Sequence, residues 1–180
     1  MATILAIVAD GFEEIETVTP IDILRRAGFE VILSSLATDL QVKGKNGIVV
    51  NADRSLKDAA PYGAYTCLLL PGGPHVWTLR KDPRVTQLCA EFAKSGRWIA
   101  AICAAPLLLK DAGVLSGHRY TAHFSVNDEL PGILSGLRVV ADGKILTSRG
   151  AGTAVDFGLA LVEQLASPAK AREVSVAICA

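Results

Sequence analysis

The sequence predicts an α/β domain built on a mostly parallel sheet, and three observations carry that reading. Thr3–Ala9, Thr66–Leu70 and Trp98–Ile102 are short and almost wholly apolar, the mark of strands covered on both faces. Each is followed by a turn and then a helical pattern, the order in which parallel strands are connected. Two hairpin turns, Gly44-Lys45-Asn46-Gly47 and Asp142-Gly143, supply small antiparallel pieces.

At 180 residues, 51% of them hydrophobic, the chain is read as one domain over residues 1–180 with a sizeable core. Lys plus Arg and Asp plus Glu both total 18 and no basic run occurs, which argues against nucleic acid or an anionic membrane as partner. The apolar opening, Met1–Ala9, has no positive segment before it and reads as a first strand, not a signal peptide. Trp98–Leu109 is too short to span a bilayer and is broken by Pro106. Cys67, Cys89, Cys103 and Cys179 form no C-x-x-C pair, so neither a metal site nor a disulfide framework is expected, and a reducing cytoplasm is the expected location.

In chain order, Thr3–Ala9 is a strand and Asp10-Gly11-Phe12 a turn. A helix then runs from about Glu13 to Ala27, with Pro20 expected to kink it and Gly28 to close it. Glu30–Leu36 completes a βαβ unit. Glu13 and Glu14 suit the positive end of the helix dipole, but they crowd the place a pyrophosphate would need, and no Gly-rich dinucleotide fingerprint is present. Glu16, flanked by Ile15 and Val18, is assigned to the more buried face, where a carboxylate is costly without a partner. Leu40–Lys43 and Ile48–Asn51 form a hairpin, and residues 52–64 a connecting loop.

Thr66–Leu70 ends in Pro71-Gly72-Gly73-Pro74, where two glycines allow N–H groups to converge on an anion. His75 beside it reads as a solvated loop residue. Asp82-Pro83 caps a helix that buries Val85, Leu88, Cys89 and Phe92 and stops at Gly96. Arg119–Ala122 reads as a short strand delivering His123 to the ligand-binding edge of the sheet. His118 is a plain turn residue. Leu137–Ala141 and Lys144–Ser148 pair as a hairpin. Thr153 is expected to cap a helix buried along Val155, Leu159, Val162 and Leu165, and a last helix starts at Ser167-Pro168 and reaches Cys179.

Cys103 ends the third apolar strand, and Pro106 opens a helix just after it. The residues alone leave two readings: a small buried hydrophobe, or a thiol at a nucleophile elbow whose ionisation is favoured by free backbone N–H groups and the helix dipole.

Four motifs, Gly11–Val18, Leu70–Gly73, Ala100–Pro106 and Thr147–Thr153, occur in the order that resembles the ThiJ/PfpI superfamily, more narrowly its DJ-one branch, over nearly the whole chain. The resemblance implies a flavodoxin-like three-layer sandwich, a class I glutamine amidotransferase-like domain, a homodimer and no cofactor. It implies Cys103 as nucleophile, Glu16 as its acid partner, Gly72, Gly73 and Ala104 as backbone donors, and His123 as a pocket residue. The peptidase-like branch has a histidine directly after the cysteine, where this chain has Ala104. In the small hairpin, Asn46 stands where the branch has an arginine, while Arg26 is kept.

The activity implied is glutathione-independent conversion of 1,2-dicarbonyls such as methylglyoxal or glyoxal to 2-hydroxy acids, or deglycation of their early protein adducts. A sensor or chaperone-like protein of oxidative stress, acting through oxidation of Cys103, is the alternative. A cysteine amidase or peptidase ranks third. Cys103 and Glu16 in contact should share one proton, resting as thiolate and carboxylic acid.

Overall fold

The computed structural model describes residues 2–180; Met1, first residue of the apolar opening, lies outside them. A seven-stranded sheet has the order β5-β2-β1-β6-β7-β9-β8. Its strands are β1 (Thr3–Val8), β2 (Glu30–Ser35), β5 (Arg54–Ser55), β6 (Cys67–Leu70), β7 (Trp98–Ile102), β8 (Val139–Asp142) and β9 (Ile145–Ser148). All neighbours are parallel except β8 against β9. The small hairpin, β3 (Gln41–Lys43) with β4 (Val49–Asn51), forms a separate two-stranded sheet.

Alternation along the central strands explains their unbroken apolarity. In β1, Leu5 and Ile7 face one core and Ile4, Ala6 and Val8 the other; in β6, Leu68 and Leu70 oppose Cys67 and Leu69. One core is closed by α3 (Pro83–Lys94) and α4 (Pro106–Asp111), with the short α2 (Val76–Leu79). The other is closed by α1 (Glu14–Arg26), α5 (Ala154–Leu165) and α6 (Pro168–Ala177). The result is the three-layer, flavodoxin-like sandwich expected.

Several local expectations are corrected. Residues 52–64 contain the edge strand β5 and a 3-10 turn at Tyr62–Ala64, because Arg54 and Ser55 find pairing positions on β2. Arg119–Ala122 makes only an isolated bridge, Tyr120 to Ile133. Helix α1 runs through Pro20 to Arg26. Its outer face carries Ile15 and Val18, both about half exposed, while Glu13, Glu14 and Glu16 are all buried; the burial assigned to Glu16 is right and its apolar flanks are not the reason. In α5 the buried stripe is Ala154, Phe157, Gly158, Leu161 and Val162, with Val155 facing solvent. Thr153 precedes α5 without capping it, its hydroxyl being taken by Gly150 and Ser148.

Candidate active site

Cys103 sits one residue beyond β7 with φ +66°, a conformation that side chains other than glycine seldom adopt and that costs on the order of 1–3 kcal/mol. Two hydrogen bonds hold it there. Its N–H donates to Ser148 O of β9 (2.9 Å), and its carbonyl accepts from His123 N–H (2.9 Å). The second bond, and not a strand, delivers His123 to the site.

Cys103 is partly exposed, whereas Cys67 and Cys89 are fully buried, so that burial pushes the Cys67 thiol well up and the Cys89 thiol up to about 12. Helix α4 begins three residues past Cys103 and is only six residues long, too little for the dipole assistance expected of it. Burial pushes the Cys103 thiol up, and an ionised Glu16 pushes it further; the Ala104 and Gly73 N–H groups facing the sulfur pull the other way.

Glu16 is brought in by the first turn of α1. Glu13 caps that helix, its carboxylate accepting from Glu16 N–H at 2.8 Å, and is therefore more than a dipole complement. Glu14 ties α1 to the hairpin: Oε1 accepts from Asn46 N–H (2.7 Å) and Oε2 from Asn46 Nδ2 (3.1 Å). Asn46 thus docks the hairpin, and Arg26 pairs with Asp22 at 2.6 Å on the far end of the helix. The Glu16 carboxyl is 1% exposed, and burial pushes it from 4.5 up to about 7, opposed by the thiol and by Gly72 N–H facing it. Its Oε2 is buried without a hydrogen bond of good geometry, an unusual state for a buried oxygen.

Gly72 is required by crowding: a Cβ there would collide with Glu16 Oε2 and lie 2.5 Å from Cys103 Cβ. Gly73, at φ +109°, has Glu13 N and Gly11 O in the same place, at 2.6 and 2.8 Å. The Gly-Gly step is thus the partition that lets an acid and a thiol meet.

His75, expected in solvent, is fully buried beneath this step. Nδ1 accepts from Ala9 N–H (3.1 Å) and Nε2 lies 3.0 Å from Pro71 O, so the neutral ring carries its proton on Nε2. Burial pushes its pKa down to about 4.

His123 rests on the 3-10 turn Phe124–Val126, stacked on Phe124 at 4.1 Å between ring centroids. Ser125 N–H donates to Nδ1 (3.2 Å), with Ser125 Oγ also 2.8 Å away. Nδ1 is therefore the acceptor and Nε2 carries the proton of the neutral ring. Burial, then Lys45 and Arg149, lower its pKa.

A cavity of about 510 Å³ brings Cys103, Glu16, Gly73, Ala104 and His123 to one surface, together with Glu13, Lys45, Trp77 and Ser125. Gly72 does not line it and instead packs behind Glu16 and Cys103. Gly150 was not singled out in the sequence, although it lies within the Thr147–Thr153 motif: a Cβ on it would be 3.3 Å from His123 Cδ2, 3.5 Å from Glu16 Oε1 and 3.9 Å from Cys103 Sγ. Trp77, nearly half exposed at the mouth, had no sequence signal. Among the described residues no group of three or more His, Cys, Asp or Glu is placed to hold a metal ion.

Residues 2–164 match the DJ-1/PfpI family. The zebrafish (Danio rerio) protein named Parkinson disease protein 7 homolog is 37% identical over 175 residues, 94% of this chain and 93% of that protein. The Caenorhabditis elegans protein named glutathione-independent glyoxalase DJR-1.2 is 34% identical over 170 residues, 93% and 90% of the two chains. Among solved structures, Drosophila melanogaster DJ-1beta superposes with a TM-score of 0.95 at 35% identity, covering 99% of this chain and 97% of that one. A structure described as oxidized Toxoplasma gondii DJ-1 superposes with a TM-score of 0.94 at 32% identity, covering 99% and 98%. The chain belongs to the DJ-1/PfpI family.

Proposed function

We propose that this DJ-1/PfpI protein converts 1,2-dicarbonyls, a class that includes methylglyoxal and glyoxal, to 2-hydroxy acids without glutathione. One observation carries the reading: a buried carboxyl with an unpartnered oxygen faces a thiol that two backbone N–H groups also face. The C. elegans relative named a glutathione-independent glyoxalase supports it.

The pair has two singly ionised forms. A Cys103 thiolate is faced by Gly73 N–H, Ala104 N–H and a Glu16 O–H; a Glu16 carboxylate is faced by Gly72 N–H and the weak S–H donor. Donor count favours thiolate with carboxylic acid, the form chemistry needs. The thiolate adds to the aldehyde carbon, and the oxygen, held by the Gly73 and Ala104 N–H groups, takes the Glu16 proton to give a hemithioacetal. Glu16, now a carboxylate, removes the hydrogen from that carbon, and His123 Nε2–H steadies the enediolate oxygen. Returning the proton to the neighbouring carbon gives a thioester of the 2-hydroxy acid. Water cleaves it, releasing the acid and restoring the thiol. Early adducts of the same aldehydes on proteins would enter by the same thiol attack.

Purified protein should turn methylglyoxal into lactate with no glutathione present. Rates no higher than those of Cys103→Ser and Glu16→Gln would remove the reading.

A second reading, oxidation sensing, is favoured by the contrast in exposure among the cysteines and by the oxidized Toxoplasma gondii relative. Two peroxide equivalents would carry Cys103 through sulfenate to sulfinate, each delivering one oxygen and leaving water. Intact mass and peptide mapping after mild peroxide should find the oxygens on Cys103. Oxidation first at exposed Cys179 would oppose it. The amidase or peptidase reading has weaker support, since Ala104 follows the thiol and His123 Nδ1 is engaged by Ser125.

The homodimer is part of the proposal. Ile15 and Val18 on α1, and Ile48 and Val49 on the hairpin, are each about half exposed on elements joined by the Glu14–Asn46 bonds, and a partner copy would cover them. Sedimentation should give twice the chain mass; a monomer at micromolar concentration would contradict it. Among the described residues no helix is long and apolar enough to cross a membrane, and the four unpaired cysteines fit the cytoplasm proposed for it.

A further inference from the structure

Two cations flank the reaction pocket, and the chemistry of a small neutral dicarbonyl does not use them. Lys45 lines the cavity that holds Cys103 and Glu16. Arg149 lines an adjoining cavity of about 380 Å³ that shares His123 and Ala151 with the first. Arg149 directly precedes Gly150, the residue packed among His123, Glu16 and Cys103. Among the described residues neither cation has an ion-pair partner, although Arg138, beside Arg149 in the same cavity, is paired with Asp156 at 2.6 Å.

Lys45 also stands on a fixed platform. Its own N–H donates to Phe12 O (2.9 Å), and the next residue, Asn46, is held twice by Glu14. Both charges reach the site electrostatically: each lowers the pKa of His123, and Lys45 lowers that of Glu16. The other ionisable groups on the reaction cavity are Glu13, whose carboxylate is occupied by Glu16 N–H, and Glu16 itself, neutral in the working form. Lys45 and Arg149 thus stand against the carboxylate of Glu13 and the Cys103 thiolate, and neither cation is taken up by a direct ion pair among the described residues, so the attraction for an anion is local to these two side chains.

We infer that Lys45 and Arg149 form an anion subsite, and that the preferred substrates are 2-oxo aldehydes carrying a carboxylate or phosphate rather than neutral methylglyoxal. The inference rests on the reading of Cys103 as the reacting thiol. The aldehyde end lies at Cys103 and the anionic end reaches past His123 toward the two cations. Such a substrate would be guided in by charge, with a rate that falls as salt rises.

The test uses two alkylating agents of nearly equal size, anionic iodoacetate and neutral iodoacetamide. Their rate ratio at Cys103 cancels any change in thiolate fraction. In the wild type this ratio should exceed that of a free thiol by several-fold and shrink at high salt. It should fall by about 2–5-fold in Lys45→Met or Arg149→Met, in line with partly screened single charges, and reach the free-thiol value in the double variant. A wild-type ratio equal to that of a free thiol, or one unchanged in the double variant, would overturn the subsite. Inorganic phosphate gives a readout independent of the thiol: it should shift the His123 ring resonances of the wild type and not those of the double variant. If Cys103 resists both reagents, the nucleophile reading fails, and a missing phosphate shift would fail the subsite as well.

Discussion

His75 and Glu16 lean on the same Pro71–Gly73 backbone, both are buried, and burial moves both of their pKa values. They differ in how they are satisfied. Each nitrogen of His75 has a backbone partner, and its neutral ring is locked between Ala9 and Pro71. Glu16 keeps one oxygen, Oε2, without a hydrogen bond, on a carboxyl that faces a thiol. Full satisfaction marks a strut; a costly unsatisfied group marks a place where a proton or substrate is awaited.

The largest effects should come from the unsatisfied side. Cys103→Ser should lower methylglyoxal turnover by at least about 10³-fold, since the nucleophile itself is lost. Glu16→Gln should lower it by about 10²–10⁴-fold, the usual range for removing a general acid–base. Measurable turnover in Glu16→Gln near the wild-type rate would erase the distinction between the two groups. Gly72→Ala removes neither side chain but drives a methyl against both, 2.5 Å from Cys103 Cβ, so that they must shift. Its turnover should fall about 10²-fold by misplacement alone, with the four-cysteine composition unchanged and Cys103 still alkylated.

On the satisfied side the readout is stability. Above pH 6.5 His75 is neutral in the folded and unfolded chain alike. Between 6.5 and about 4 the unfolded chain takes up a proton that the folded one refuses. Stability is therefore fully present above about pH 6.5 and falls by about 3 kcal/mol as the pH drops to 4. His75→Gln should flatten that limb in urea titrations, and should cost about 1–3 kcal/mol at pH 7 by leaving backbone groups unpaired. An unaltered acid limb would show that His75 is not what refuses the proton. The smallest effect belongs to Ser125→Ala, which removes one hydroxyl from His123 while the backbone N–H still holds the ring; about a 5-fold drop in turnover is expected.

The same contrast explains what could be read from the sequence. The central strands were legible because burial on both faces leaves an unbroken apolar run, and Cys103 was legible because such a run stopped at a thiol before Pro106. Both hairpins announced themselves through their turns. His75 was not legible: its partners are the Ala9 N–H just past β1 and the Pro71 carbonyl, and only folding brings Ala9 to it. Gly150 and Ser125 were hidden likewise, since the Cys103 carbonyl to His123 N–H bond, not a strand, sets that corner. Glu16 was found for a partly wrong reason, because Ile15 and Val18 point outward on a helix whose acids point in. The resemblance to the family's motif, not periodicity, put it forward as the acid partner.

The pH dependence of Cys103 alkylation by iodoacetamide, in wild type and in Glu16→Gln, tests the shared proton most directly. With the proton on Glu16, wild-type reactivity should rise with an apparent pKa below the roughly 8.5 of a free cysteine, and Glu16→Gln, a weaker donor, should move it upward. An apparent pKa above that value in the wild type, falling when Glu16 becomes Gln, would place the charge on Glu16 and contradict the thiolate–acid pair.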